Sequence, residues 1–142
     1  MRAKQLSVFI ENRQGRLGEV LSVLKNNGIN IYSLSLADTT EYGLLRLIVS
    51  DADLGKKKLG ESGFSTMITD VLVVRIDNKT GSLETLVKNL SDAQINVEYM
   101  YGLSIYGDKA SIVLKASNVE TAEKVLIDNG VETVTSEQII EK

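Results

Sequence analysis

The sequence predicts an α+β chain of two tandem βαββαβ modules, each an antiparallel sheet with helices on one face. Three observations carry this. The 21-residue stretch at 11–31 recurs 66 positions later; alternating apolar runs precede both copies; and a helix-period apolar stripe lies inside each.

Leu6, Val8 and Ile10 recur at every second position, as do Val71, Val73 and Arg75 before the second copy's glycine turn; period 2 implies strand. A glycine turn follows. Leu17, Val20, Leu21 and Leu24 then fall on one face of a helix, and Leu83, Leu86, Val87 and Leu90 repeat that stripe. Gly28 supplies a left-handed stop for the first helix. Gln94 holds the corresponding place in the second copy, so that helix is expected to end another way. Ile29–Ala37 and Ile95–Ile105 predict second strands, and Gly43–Ser50 and Ala110–Lys115 third strands. A second helix opens at Ser117-Asn118-Val119-Glu120, which has capping-box spacing. Its counterpart over Asp53–Ser62 is weakened by Gly55 and Gly60. Phe64–Ile68 and Val131–Thr135 close the modules as fourth strands, which assigns residues 1–70 to one and 71–142 to the other. The order is that of a ferredoxin-like split βαβ.

Six positions of the repeat are identical: Asn12/Asn78, Gly15/Gly81, Leu17/Leu83, Leu24/Leu90, Ile29/Ile95 and Asn30/Asn96, where chance gives roughly one. Leu44-Leu45, Leu47-Ile48-Val49 and Val71-Leu72-Val73-Val74 are apolar on both strand faces. A sheet with one wet face alternates, so a second cover is expected, from joined modules side by side or from another chain in a homodimer.

Composition narrows the function. The 142 residues carry a net charge of −3 with scattered Lys and Arg, which argues against a nucleic-acid face. The third strands carry no aromatic for stacking bases. There is no Cys and no His, which removes thiolate metal sites, disulfides and the usual general base. No metal or cofactor is implied. No apolar run reaches membrane-spanning length and no signal peptide is legible at the N-terminus, so a cytoplasmic protein with no membrane partner is expected. Gly55–Ser62 has the glycines of a phosphate loop, but Glu61 stands in place of its lysine. Tyrosines beside Glu41 or Glu98 could transfer protons, yet none recurs between the copies. An enzyme is the weaker expectation, and a ligand-free interaction module the other alternative.

The opening stretch remains. Strand, polar glycine turn and helix start leave first-turn N–H groups without intrahelical partners, a favourable place for a carboxylate. Gly15 and Gly81 permit close backbone approach. Asn12 and Asn78 could instead cap the turn. Asn30 and Asn96, each between two apolar strand residues, recur at the same separation and suggest a shared polar task.

These motifs resemble the ACT domain family of small amino-acid-binding regulatory modules. Members read Asp or Asn, any residue, Pro, Gly, any residue, Leu, and then Gly-Ile-Asn-Ile. Here the copies read Asn12-Arg13-Gln14-Gly15-Arg16-Leu17 with Gly28-Ile29-Asn30-Ile31, and Asn78-Lys79-Thr80-Gly81-Ser82-Leu83 with Gln94-Ile95-Asn96-Val97. Gln14 and Thr80 stand in place of the proline. The first copy is especially similar to serine-sensing members, although Ile10 replaces their polar contact before the turn. The resemblance implies a regulatory protein whose ligand is a free amino acid. The carboxylate would meet the N–H groups of Gly15, Arg16 and Leu17, or of Gly81, Ser82 and Leu83. Asn12 and Asn78 would touch it from the loop, and Asn30 and Asn96 across a paired-module interface. A metabolic enzyme or transporter would be the regulated partner.

Overall fold

The computed structural model describes residues 2–11, 13–38 and 41–140. The chain forms two compact units, Lys4–Thr69 and, together with Met1–Ala3, Asp70–Lys142. In chain order the elements are β1 (Ala3–Glu11), α1 (Arg16–Asn26), β2 (Ile31–Asp38), β3 (Tyr42–Val49), α2 (Ala52–Glu61) and β4 (Ser65–Asp77). They continue with α3 (Ser82–Asp92), β5 (Val97–Tyr106), β6 (Lys109–Ala116), α4 (Val119–Asp128), β7 (Glu132–Val134) and α5 (Ser136–Ile140). This is the βαββαβ order twice, with one strand shared. The closing strand of the first copy and the opening strand of the second are continuous because Thr69-Asp70 offers no glycine or proline to break them.

In the first unit β3 lies between β2 and β1, antiparallel to both, with Leu6 opposite Leu47 and Val8 opposite Leu45. Those side chains face the helices and pack with Val20 and Leu24 of α1, Leu59 of α2, and Phe64. In the second unit β6 pairs with β5 and β4, and β7 pairs with the other side of β4. Leu72, Val74 and Leu114 pack there with Leu86 and Leu90 of α3 and Ala122 and Leu126 of α4. The opposite strand faces are covered too: Gln5, Ser7 and Ile48 are buried, as are Val71, Val73 and Val113. That matches the absence of alternation in those runs.

Both first helices end alike. Gly28 has φ 68°, its N–H bonds the Lys25 carbonyl at 3.1 Å, and the Ile29 N–H bonds that of Leu24 at 3.0 Å. Gln94 adopts φ 60° and makes the same pair, to Ser91 at 2.9 Å and from Ile95 to Leu90 at 2.9 Å. Both are Schellman closures, so the expectation of a different ending in the second copy is corrected. Burial of Ile95 at the end of the motif outweighs the left-handed penalty on Gln94.

The cap of α4 is Asn118, one residue later than the predicted Ser117; its side chain accepts from the Thr121 N–H at 3.0 Å. Helix α5 was not predicted. It carries its own capping box, in which Thr135 N–H donates to Gln138 Oε1 at 2.8 Å and Gln138 N–H donates to Thr135 Oγ1 at 3.3 Å. Among the described residues no helix is long and apolar enough to cross a membrane.

The two glycines of α2 play different parts. A Cβ on Gly55 would sit 2.9 Å from Leu6 Cδ2 and 3.5 Å from Leu24 Cδ2, so this glycine lets α2 approach both β1 and α1. A Cβ on Gly60 would meet nothing within 4 Å. Gly60→Ala should therefore stabilise the protein by up to about 1 kcal/mol through helix propensity. Gly55→Ala should gain the same propensity but lose about 1–3 kcal/mol to overpacking, a net destabilisation. Urea denaturation of both variants checks this; two changes of the same sign would contradict the packing role of Gly55.

Candidate functional site

Each module turns from strand into helix through a left-handed glycine, Gly15 at φ 89° and Gly81 at φ 86°. The turns share their backbone bonding. Arg16 N–H donates to the Arg13 carbonyl at 3.3 Å and Ser82 N–H to that of Lys79 at 3.2 Å. Glu19 and Thr85 N–H then bond the Gly15 and Gly81 carbonyls, both at 3.1 Å. The N–H groups of Leu17, Gly18, Leu83 and Glu84 have no acceptor among the described residues. Their positive ends lie open at the two helix starts.

Asn12 lies outside the described residues. Asn78 is exposed; its N–H donates to the Asp108 carbonyl at 2.7 Å, and its side chain makes no hydrogen bond among the described residues. Side-chain capping by Asn78 is therefore absent there. Asn30 and Asn96 precede β2 and β5 by one residue, in the segments that leave the Schellman closures. Their carbonyls accept from Ser50 N–H and Ser117 N–H, each at 2.9 Å, and both residues are exposed. They lie outside the strands proper, so strand propensity gives no reason for them. Asn78 and Asn96 are also far apart: helix α3 has 11 residues between them, a span of about 16 Å at 1.5 Å per residue.

The second loop opens on a cleft of about 570 Å³ within its own unit. Gly81 and Ser82 form part of its wall, whereas Asn78, Leu83 and Asn96 do not. Besides the end of β4, its loop and Leu86, the wall comes from residues the sequence did not single out as site residues: Glu84, Thr85 and Asn89 along α3, Lys109 at the start of β6, and Asn129 to Val131 after α4. Lys109 Nζ bonds Asp77 Oδ1 at 2.5 Å, and Lys79 Nζ is 3.8 Å from Asp77 Oδ2. The Lys109 hydrogen bond and charge hold the Asp77 carboxyl below its ordinary 3.8, and Asp77 in turn raises Lys109 above 10.5. Arg75 pairs with Glu132. Among the described residues Glu84 has no ion-pair partner. Nothing local in the sequence signals the Asp77–Lys109 pair, because the β4–β6 register is what places the two opposite each other.

The first loop is furnished differently. The Arg16 side chain is only 17% exposed; its Nη1 bonds Glu19 Oε2 at 2.5 Å, and its guanidinium lies 4.2 Å from the centre of the Phe64 ring. Leu17 packs against the first core, whereas Leu83 is exposed. Tyr42 stands opposite Glu11 where Lys109 stands opposite Asp77.

The Asp77–Lys109 pair gives a signed pH expectation. Its contribution from Asp77 is present above the ordinary carboxylate value and lost as pH falls through the lowered one. Its contribution from Lys109 is present below 10.5 and lost as pH rises through the raised value. Between these limits it is constant. Lys109→Ala should move the Asp77 titration midpoint upward, read from its carboxyl carbon by NMR. An unmoved midpoint would mean that the pair does not persist in solution.

A profile of the family described as ACT domain pair matches residues 1–142. A protein of solved crystal structure from Bacteroides thetaiotaomicron is 36% identical, with a TM-score of 0.94 over 100% of this chain and 98% of that one. The ligand-free regulatory subunit of aspartate kinase from Thermus thermophilus is 16% identical, with a TM-score of 0.62 over 88% of this chain and 91% of that one. Its counterpart from Thermus flavus is also 16% identical, with a TM-score of 0.60 over 88% and 90%. At that identity the two subunits share the fold with this chain. No curated protein matches the sequence.

Proposed function

The chain belongs to the ACT domain pair family, and from that premise we propose that it is a regulatory protein that binds a free amino acid and performs no chemistry of its own. The observation that carries this is the repeated turn. In both modules a left-handed glycine starts a helix whose next N–H groups, at Leu17 and Gly18 or Leu83 and Glu84, lack acceptors among the described residues. Such groups suit an α-carboxylate. Asp77 and Lys109, each displaced by the other, form an exposed ion pair rather than an acid–base couple.

Asn12 and Asn78 would hold the ligand from the loop. Asn30 and Asn96 lie one helix length away from their own loops, so a contact from them has to come from a different module. Binding would bias how modules associate, and a metabolic enzyme or transporter in the cytoplasm would respond to that shift. A second copy of the chain is the expected further partner. Leu34 and Leu36, on a strand that pairs with β3, are 47% and 48% exposed and offer it an apolar edge.

A thermal-shift panel of the twenty amino acids tests the proposal. A ligand at 100 times its Kd should stabilise the protein by about 2.7 kcal/mol, and decarboxylated or N-acetylated analogues should not. Equal stabilisation by the analogues would remove the helix starts as the recognition element. Asn78→Ala separates ligand contact from capping. A lost cap would cost about 1 kcal/mol of stability; a lost ligand contact should weaken binding about tenfold per 1.4 kcal/mol and leave the ligand-free protein within about 0.5 kcal/mol of the parent.

A further inference from the structure

The internal repeat allows one module to serve as the control for the other. Two wall residues of the second module's cleft, Ser82 and Val131, have exact structural counterparts in the first. Ser82 and Arg16 each follow the left-handed glycine and bond the carbonyl three residues back. Val131 and Phe64 each follow a glycine after the second helix, Gly130 at φ 78° and Gly63 at φ 91°. Their N–H groups bond Leu126 and Leu59 carbonyls at 2.9 and 3.0 Å. In the first module these two places are joined: the Arg16 guanidinium lies over the Phe64 ring at 4.2 Å, steadied by Glu19. In the second module a hydroxyl and an isopropyl group replace them, Thr85 replaces Glu19, and the same two walls border open space of about 570 Å³. That volume is ample for a free amino acid.

We infer that the two modules are not equivalent receptors: the second takes the ligand in this cleft, and the Arg16–Phe64 bridge of the first is a built-in stand-in that occupies the corresponding space. The inference rests on the amino-acid-binding proposal, assigns it to one site per chain, and puts the cleft wall in place of the asparagine contacts, since Asn78 and Asn96 do not line this cleft. The wall chemistry sets the ligand class. Glu84 is a carboxylate with no ion-pair partner among the described residues, suited to an ammonium. Lys79 and Lys109 present cations to the same cleft, both paired with Asp77. Thr80, Asn89 and Asn129 supply uncharged polar groups. A zwitterion with a polar side chain suits these groups; an apolar side chain would desolvate the Asn89 amide and the Thr80 hydroxyl without offering them a hydrogen bond.

The test uses the full ¹⁵N-labelled chain, titrated with each of the twenty proteinogenic L-amino acids in turn. Polar amino acids should shift the amides of Gly81, Ser82 and Gly130 and leave those of Gly15, Arg16 and Gly63 in place, with calorimetric stoichiometry of one per chain. Copying the bridge with S82R/V131F should weaken binding more than tenfold, and E84Q should weaken it at least as much. If S82R/V131F fails to fold, R16S/F64V decides: it should acquire a second site, seen as new shifts at Gly15 and Gly63. An amino acid that shifts only the first loop, or both loops of the parent equally, overturns the inference while the amino-acid-binding proposal stands. So does unchanged binding by S82R/V131F, or binding confined to apolar amino acids. If none of the twenty shifts any amide, both fall together.

Discussion

A left-handed glycine between strand and helix governs each module. At Gly15 and Gly81 the backbone takes φ near 90°, a region where a Cβ is strained. That conformation reverses the chain within a few residues, so that a strand whose alternate side chains enter the core is followed at once by a helix laid over the same face. Leu6 and Val8 meet Val20 and Leu24 in this way, and Leu72 and Val74 meet Leu86 and Leu90. It also begins each helix where Leu17 and Gly18, or Leu83 and Glu84, present N–H groups with no acceptor among the described residues. Core packing and the open helix start thus share one local turn, and a substitution at the glycine would disturb both.

The parts of the fold that depend on apolar periodicity were legible in the residues. The stripes and runs recur in both copies, and Leu6, Val8, Val20, Leu24, Leu86 and Leu90 land on the helix-side core; Leu83 is exposed, and Leu72 and Val74, not Val71 and Val73, face α3 and α4. The parts that depend on competition between local and tertiary terms were not. Gln94 has a poor propensity for the left-handed region, yet it closes its helix as Gly28 does, because Ile95 is buried by that closure. Asn30 and Asn96 looked like strand residues because apolar neighbours flank them. Those neighbours, Ile29 and Ile95, belong to the helix endings, and the strands begin one residue after the asparagines.

The candidate site was legible only along the chain. Gly81 and Ser82 could be picked out because they sit in the repeat, and both reach the cleft. Lys109, Asn89 and the turn after α4 come from other elements and carry no local motif. Lys109 meets Asp77 because β4 and β6 pair in one register; a slip by one residue would carry it to the other face. The short helix α5 shows the opposite failure. Its capping box, Thr135 with Gln138, is plain in the residues, but five residues give too little periodicity to be recognised.

Duplication supplies the frame twice, and the side chains that fill it have diverged where the frame does not depend on them. Leu24 and Leu90 stay leucine because each is fully buried between sheet and helices. Arg16 and Ser82 differ freely because their backbone bonds, which fix the turn, do not involve their side chains. The consequence is one turn that holds a cation over an aromatic ring and another that faces an open polar cleft. Arg16 also shows the cost of such filling: its Nε is buried without a partner among the described residues, a loss that the Glu19 pair and the Phe64 ring have to offset. A polar group left in that condition is tolerated where stacking and charge pairing act on the same guanidinium, and a serine in its place carries no such debt and leaves the space to solvent or ligand.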